Sequence, residues 1–188
     1  MTSISIRCKS LINTDNILLV DMDGTLIETN YANYLSYQKA VKEILSIDIN
    51  YNFRERFTRK TLRDILPLID DNIFNNIIKL KEKYYIEFLD KTSLNNILID
   101  LLKQYNTNKK ILVTKCSKER GVQTLTYHNL SSFFDDVIYA TTNNKYREVI
   151  EILSLNTGNI IIFEDDDLEI ENALKIGIPN QNIIKINI

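Results

Sequence analysis

The stretch that most constrains the fold is a short apolar run that ends in two acidic residues. The run, Ile17 to Val20, is branched and unbroken, which is typical of a buried strand inside a parallel sheet. Asp21 and Asp23 follow it, and Gly24 comes next. A glycine permits a tight turn that can bring both acids near one point. Because open α/β sheets keep their active sites at the carboxyl ends of their strands, the stretch predicts a site here.

The rest of the chain alternates between strand and helix patterns. Apolar runs predict further strands over 110–114, 137–139, 159–163 and 183–186, and periodic apolar residues predict helices over 117–127, 144–153 and 168–176. Such alternation indicates a parallel sheet with right-handed crossovers.

About seventy residues after the first strand have helical spacing throughout. The periodicity predicts helices over 30–46, 53–66, 70–89 and 93–105. This segment is too long for a plain crossover helix, so we interpret it as a helical insertion. Residues 1–16 are polar and mixed, and we assign them no role.

Composition excludes several classes of protein. The chain has 188 residues, 44% of them hydrophobic, which suits one domain or one domain with an inserted lobe. Its net charge of −2 does not indicate a nucleic-acid or anionic-membrane binder. No apolar run approaches the ~20 residues of a membrane span. Two cysteines and no signal-peptide pattern favour a cytoplasmic location.

Polar groups of one chemical kind follow several of the predicted strands. Thr114 ends the second strand, Lys145 opens the helix after the third, and the acids at 164–167 follow the fourth. In a parallel sheet these ends share one edge, so the groups can converge on Asp21 and Asp23. Clustered carboxylates call for a hard cation, and Mg²⁺ prefers oxygen ligands. A lysine and a hydroxyl group would stabilise the oxygens of a transferring phosphoryl group, and a carboxylate can act as its nucleophile.

Four segments, in order, resemble the motifs of the haloacid dehalogenase-like (HAD) hydrolases. They are VDMDGTL, ILVTKCS, the lysine at 145, and IIIFEDDDLEIENALKIGI. The resemblance covers about residues 17–178 and points to the β-phosphoglucomutase and phosphoglycolate phosphatase branch. It implies an α/β fold, a Rossmann-like parallel sheet core with an inserted helical C1 cap. The core would comprise residues 1–28 and 94–188, and the cap residues 29–93.

The same resemblance implies a role for each candidate residue. Asp21 would be the nucleophile and Asp23 the acid/base, while Thr114 and Lys145 would bind the phosphate. Mg²⁺ would lie between the Asp21 side chain, the backbone carbonyl of Asp23, and Asp165. Asp21 would attack phosphorus to give an aspartyl phosphate, and Asp23 would first protonate the leaving oxygen and then activate water.

The chain departs from the family pattern at two positions. Tyr146 follows the motif lysine where relatives often have proline, and Glu169 stands where many have aspartate or glycine. Because the acids at 164–167 are consecutive, the sequence determines the position of the metal ligand only to within one residue. Whether Glu164, Asp166, Asp167 or Glu169 assists the metal is therefore not decided by the sequence.

The function expected from these residues is hydrolysis of a small phosphorylated metabolite, with no nucleic-acid or membrane partner. One alternative is a phosphomutase of the β-phosphoglucomutase type, and another is a non-catalytic protein that binds a phospho-ligand or a partner. The sequence names neither the substrate nor the oligomeric state. A basic face on the insertion is either a solvated helix face or a surface for a second anionic group of the substrate. It comprises Arg56, Arg59, Lys60 and Arg63.

Overall fold

The computed structural model describes residues 8–52 and 55–187. Within them, seven strands form a five-stranded parallel sheet, in the order β5-β4-β1-β6-β7, and a separate antiparallel pair of β2 with β3. The strands are β1 (Ile17–Val20), β2 (Ile27–Glu28), β3 (Ser93–Leu94), β4 (Lys110–Thr114), β5 (Asp136–Tyr139), β6 (Ile160–Glu164) and β7 (Ile183–Lys185).

The apolar run at Ile17–Val20 is the central strand of the sheet. Leu19 of β1 lies opposite Ile111 of β4 on one side and Ile162 of β6 on the other. Alternate residues face opposite sides of a strand. Leu18 accordingly packs in one apolar cluster and Leu19 in a second, on the other face. Because both faces are covered, the run has no polar alternation, as predicted.

The segment between β2 and β3 is helical. It contains α1 (Asn30–Leu45), α2 (Arg59–Ile65), α3 (Asp71–Tyr85) and a 3₁₀ turn at Ile86–Lys91. A third apolar cluster holds the three helices together around Phe57, whose ring centroid lies 4.9 Å from that of Tyr37. Leu89 of the 3₁₀ turn packs with Ala32 and Tyr85 in a separate small cluster. The β2–β3 pair joins Ile27 to Leu94, so the insertion leaves and rejoins the sheet domain at one place.

Helix α2 is shorter than predicted. A helix was expected over 53–66, but it begins at Arg59, because Thr58 caps it. The Thr58 hydroxyl accepts a hydrogen bond from the Thr61 amide at 3.1 Å, and the Thr61 hydroxyl accepts one from the Thr58 amide at 3.2 Å. A reciprocal capping box of this kind fixes where a helix starts. Residues 53 and 54, which the prediction included, lie outside the described residues.

Two boundaries also differ at the end of the insertion. The helix expected to reach residue 89 ends at Tyr85, where the chain tightens into the 3₁₀ turn and Phe88 leaves helical geometry. The helix expected from residue 93 begins at Asn96, because Ser93 and Leu94 pair with β2 instead. The Asn95 side chain then caps the helix by accepting a hydrogen bond from the Leu98 amide.

Four further helices belong to the sheet domain, and the predicted α/β fold with a parallel sheet is confirmed. They are α4 (Asn96–Gln104), α5 (Lys118–Tyr127), α6 (Lys145–Leu153) and α7 (Asp167–Lys175). Among the described residues, no helix combines the length and the apolar character needed to cross a membrane. The division into core and cap at residues 28 and 94 stays a prediction.

Candidate active site

A tight loop after β1 places the two acids at the carboxyl edge of the sheet. The Asp21 amide donates to the carbonyl of Phe163 at 3.0 Å, which extends the β1–β6 pairing by one residue. Gly24 then adopts a φ of +91° and donates its amide to the carbonyl of Ile27 at 2.8 Å. A positive φ is costly for residues with a side chain, so glycine at this turn has a conformational reason.

Asp21 and Lys145 form a buried ion pair. The Lys145 Nζ lies 2.5 Å from Asp21 Oδ1 and 2.7 Å from Glu164 Oε2, and all three residues are at most 3% exposed. The other Asp21 oxygen, Oδ2, is buried and has no hydrogen-bond partner among the described residues. One oxygen of the predicted nucleophile is thus held by a cation, while no described residue bonds the other.

Glu164 fixes the position of that lysine. Its Oε2 also accepts a hydrogen bond from the Tyr146 hydroxyl at 2.6 Å. Its Oε1 accepts hydrogen bonds from the backbone amides of Asp165 and Asp166, each at 3.0 Å. With both oxygens occupied, Glu164 positions Lys145 and shapes the loop that carries Asp165. Tyr146, a departure from the family pattern, therefore has a structural role here.

A second group of contacts forms the candidate metal site. Carboxylate oxygens of Asp21, Glu164 and Asp165 all lie within 4.8 Å of one another. The Thr25 hydroxyl donates to Asp165 Oδ1 at 2.8 Å and so orients this carboxylate. An all-oxygen donor set that includes Asp21 Oδ2, a buried oxygen with no partner within residues 8–52 and 55–187, fits a hard divalent cation such as Mg²⁺.

Asp23 has a different environment from Asp21. The Thr29 hydroxyl donates to Asp23 Oδ1 at 2.7 Å, and Nη2 of Arg120 donates to Oδ2. Burial by itself raises the pKa of Asp23, but Arg120 and Thr29 outweigh burial and hold this pKa below its usual value. In this arrangement Asp23 is ionised at neutral pH.

The other two carboxylates of the site are shifted in the opposite direction. Burial, with a further contribution from Glu164, raises the pKa of Asp21 well above its usual range, and Lys145 opposes this rise. Burial also raises the pKa of Asp165 to about 6, although Arg56 and Thr25 oppose it. Such crowding of carboxylates is relieved when a cation binds between them.

The acids open onto a cavity of about 950 Å³ between the sheet domain and the insertion. Asp21, Asp23, Thr114 and Lys145 all line this cavity. Thr114 is buried at the end of β4, and its hydroxyl accepts a hydrogen bond from the Cys116 amide at 3.2 Å. The structure therefore brings four of the five predicted site residues to one cavity, and Asp165 lies beside them.

Comparison with known proteins agrees with this geometry. Residues 18–183 match the family model of haloacid dehalogenase-like hydrolases. The chain belongs to that family. The resemblance inferred from the four motifs is confirmed, and so is the expectation of a HAD-like hydrolase.

Solved structures of HAD-like proteins have the same fold. A haloacid dehalogenase-like hydrolase from Streptococcus pneumoniae superimposes with a TM-score of 0.73 at 16% identity, covering 89% of this chain and 83% of that one. A predicted phosphoglycolate phosphatase from Haemophilus somnus gives 0.68 at 16%, covering 88% and 84%. A Thermotoga maritima protein proposed to be a β-phosphoglucomutase gives 0.63 at 18%, covering 90% and 84%.

The acids that follow Asp165 have partners outside the candidate metal cluster. Asp166 caps α7 by accepting a hydrogen bond from the Leu168 amide, and Asp167 pairs with Lys185. Glu169 forms an ion pair with Lys115 at 2.5 Å. Of the four acids whose part was left open by the sequence, Glu164 alone lies in the cluster of candidate metal ligands, among the described residues.

The basic face of the insertion does not act as one surface. Arg59 and Lys60 line the cavity, as does Arg56, which precedes α2 and bonds Asp166 at 3.1 Å. Arg63 lies elsewhere, because its guanidinium bonds Asp71 at 2.7 Å and covers the ring of Phe74. Three of the four basic residues thus line the cavity, and the fourth does not.

Two buried cations in the cavity were not identified from the sequence. Arg120 lies on α5 and Lys81 on α3, and each is less than a tenth exposed. A signal for Lys81 was present, because Ile77, Lys81 and Tyr85 are spaced by four and share one helix face. A lysine between two buried apolar residues on one face is unusual. We find no comparable sequence signal for Arg120.

Gly24→Ala offers a test of the loop geometry. A Cβ at Gly24 would lie 2.9 Å from the Asp165 Cγ, so the carboxylate would have to move. We expect Gly24→Ala to lower turnover about tenfold or more, by analogy with the cost of misplacing a catalytic group. The matched control is Gly177→Ala, since Gly177 has a φ of +89° and nothing within 4 Å of the added Cβ.

Both variants carry the backbone cost of a positive φ, about 1 kcal/mol of unfolding free energy. Only Gly24→Ala adds a collision with Asp165. Urea unfolding and phosphate release, measured on both proteins, separate the two effects. Equal turnover of the two variants would show that the position of Asp165 is not critical.

Proposed function

We propose that this chain is a Mg²⁺-dependent phosphatase that hydrolyses a small-molecule phosphomonoester through an aspartyl phosphate on Asp21. The observation that carries the proposal is the state of the Asp21 carboxylate. One oxygen is held by Lys145, the other has no hydrogen-bond partner in the part of the chain that the structure describes, and the residue lines a cavity bounded by the insertion. A buried carboxylate presented in this way is suited to nucleophilic attack on phosphorus.

In the first half-reaction, an oxygen of Asp21 would attack the phosphorus, the bond to the leaving oxygen would break, and a protonated Asp23 would transfer its proton to that oxygen. Lys145 and Thr114, both in the same cavity, would stabilise the equatorial oxygens of the transferring group. In the second half-reaction, Asp23 would take a proton from water, which then attacks the aspartyl phosphate and regenerates Asp21.

The metal would be held by the side chains of Asp21 and Asp165 together with the backbone carbonyl of Asp23. When bound, Mg²⁺ would neutralise charge on the carboxylates and on the phosphoryl oxygens. Glu164 belongs to the same cluster, but its oxygens are occupied by Lys145, Tyr146 and two backbone amides. We therefore assign Glu164 to positioning rather than to metal binding.

Asp23 requires one rearrangement before it can act as an acid. Arg120 and Thr29 both donate hydrogen bonds to its carboxylate, so in this state it has no proton to give. The state is suited to the second half-reaction, in which Asp23 accepts a proton. Protonation of a leaving oxygen requires the contact with Arg120 to loosen when substrate binds.

The test is phosphate release from an aryl phosphate and from a panel of phosphorylated metabolites. We expect turnover with Mg²⁺ and a loss of at least about 10²-fold after chelation with EDTA, because the crowded acids then face the phosphate without a cation. Re-addition of Mg²⁺ should restore activity. An unsubstituted protein that is inert across the panel would favour a non-catalytic, ligand-binding role.

A phosphomutase is the second candidate, because the same fold occurs in the Thermotoga maritima protein proposed to be a β-phosphoglucomutase. Product analysis after incubation with a hexose phosphate separates the two functions. Free phosphate indicates a phosphatase, whereas an isomeric sugar phosphate indicates a mutase. A nucleophilic Asp21 serves either reaction, so the product is the deciding measurement.

A further inference from the structure

Two buried cations, Lys81 and Arg120, line the same cavity, and Arg120 bonds Asp23. Lys81 belongs to α3 of the insertion and Arg120 to α5 of the sheet domain, and both line the cavity. Lys81 is 4% exposed and Arg120 is 8% exposed. The mechanism proposed above assigns no task to Lys81.

Aromatic rings and two acids surround this pair: Asp23 bonds Arg120 and Glu82 bonds Lys81. The Lys81 Nζ lies 5.0 Å from the ring centroid of Tyr37 and 5.9 Å from that of Tyr85, and the Arg120 guanidinium lies 4.8 Å from the Tyr85 centroid. The acid bonded to Lys81 is its neighbour Glu82, at 2.9 Å. Ring faces favour cations, so they help to hold both side chains in place.

Two buried like charges at close range are energetically unfavourable. Burial, and next the charge of Arg120, lower the pKa of Lys81 to about 8, while Glu82 and Asp23 oppose this. Glu82 is also shared, since it accepts a hydrogen bond from the Ser117 hydroxyl at 3.3 Å. An anion bound between Lys81 and Arg120 would relieve their repulsion and would remove little solvent from either group.

We infer that Lys81 and Arg120 bind a second anionic group, carried on the leaving group of the substrate. The inference rests on the proposed phosphatase function, which places the phosphate at Asp21 and the leaving group on the side of Asp23. It narrows the substrate class to phosphomonoesters that also carry a carboxylate or another phosphate. Because the incoming anion would compete with Asp23 for Arg120, its binding would also release Asp23 toward the leaving oxygen.

The test compares three esters: propyl phosphate, its ω-carboxylate analogue and its ω-phosphate analogue. With Mg²⁺ present, we expect kcat/KM for at least one charged ester to exceed that for propyl phosphate about tenfold or more, the effect of one hydrogen bond to a charged group. Lys81→Met should bring this ratio close to one, mainly by raising KM for the charged ester. Lys81→Arg should preserve the preference.

Lys83→Met is the matched control, because Lys83 is an exposed lysine on α3 that does not line the cavity. It should keep the ratio of the unsubstituted protein. Equal kcat/KM for the three esters, or a ratio unchanged by Lys81→Met, would overturn the inference. Hydrolysis of propyl phosphate in the same experiment would still support the phosphatase proposal. No phosphate release from any of the three esters would instead contradict the proposed function itself.

Discussion

Asp21→Asn is expected to reduce phosphate release by at least about 10³-fold, because the amide cannot serve as the nucleophile that forms the aspartyl phosphate. The substitution keeps the size and shape of a side chain that is 3% exposed. It also leaves Lys145 paired with Glu164 at 2.7 Å. The loss should therefore come from chemistry, and the measurement is single-turnover and steady-state release of phosphate from an aryl phosphate with Mg²⁺.

Asp167→Asn is the matched control for this prediction. Asp167 is an exposed acid of the same sequence segment as the candidate metal ligand, and it pairs with Lys185 outside the cavity. Its substitution should leave turnover unchanged. If Asp21→Asn keeps turnover within about tenfold of the unsubstituted protein, Asp21 is not the nucleophile, and the chemistry proposed for this cavity is wrong.

Much of the sheet could be predicted because its strands are buried on both faces. The run at 17–20 and those at 110–114 and 159–163 are apolar almost throughout, and all three occupy the centre of the sheet. The short strand β3 could not be predicted, since Ser93 and Leu94 carry no strand pattern. They are extended because β2, distant in sequence, pairs with them. Local propensity gives way to tertiary pairing at such places.

Some residues of the candidate site could likewise be predicted from the sequence, and others could not. Asp21, Asp23, Thr114, Lys145 and Asp165 stand at fixed offsets from recognisable strands, so a pattern along the sequence can find them. Arg120 has no such position, and its importance arises from contact with Asp23, 97 residues away. Glu164 was one acid in a run of four, and burial at the end of β6 separates it from the other three. Residues that become partners only through tertiary packing are difficult to identify from a single sequence.

Lys145→Met is expected to damage both stability and turnover. Lys145 lies within 2.7 Å of two carboxylates, Asp21 and Glu164, and all three residues are buried. Removing the cation leaves two like charges unpaired in the interior, which typically costs about 3–5 kcal/mol of unfolding free energy. Loss of the charge that would stabilise the phosphoryl oxygens should lower turnover about 10²–10³-fold. Urea unfolding and phosphate release measure the two effects separately.

A second substitution distinguishes the stabilising role of Lys145 from its catalytic one. In the double variant with Lys145→Met and Glu164→Gln, one of the two unpaired carboxylates is replaced by a neutral amide. The carbonyl oxygen of this amide can still accept the hydrogen bond from the Tyr146 hydroxyl. The double variant should therefore recover part of the lost stability and none of the turnover, a non-additive result expected for residues in contact. Lys175→Met, which removes an exposed pair with Glu171, should change neither quantity measurably. If Lys145→Met alone unfolds at the same urea concentration as the unsubstituted protein, the buried pair contributes nothing to the fold. The lysine would then be retained for its charge at the phosphate alone.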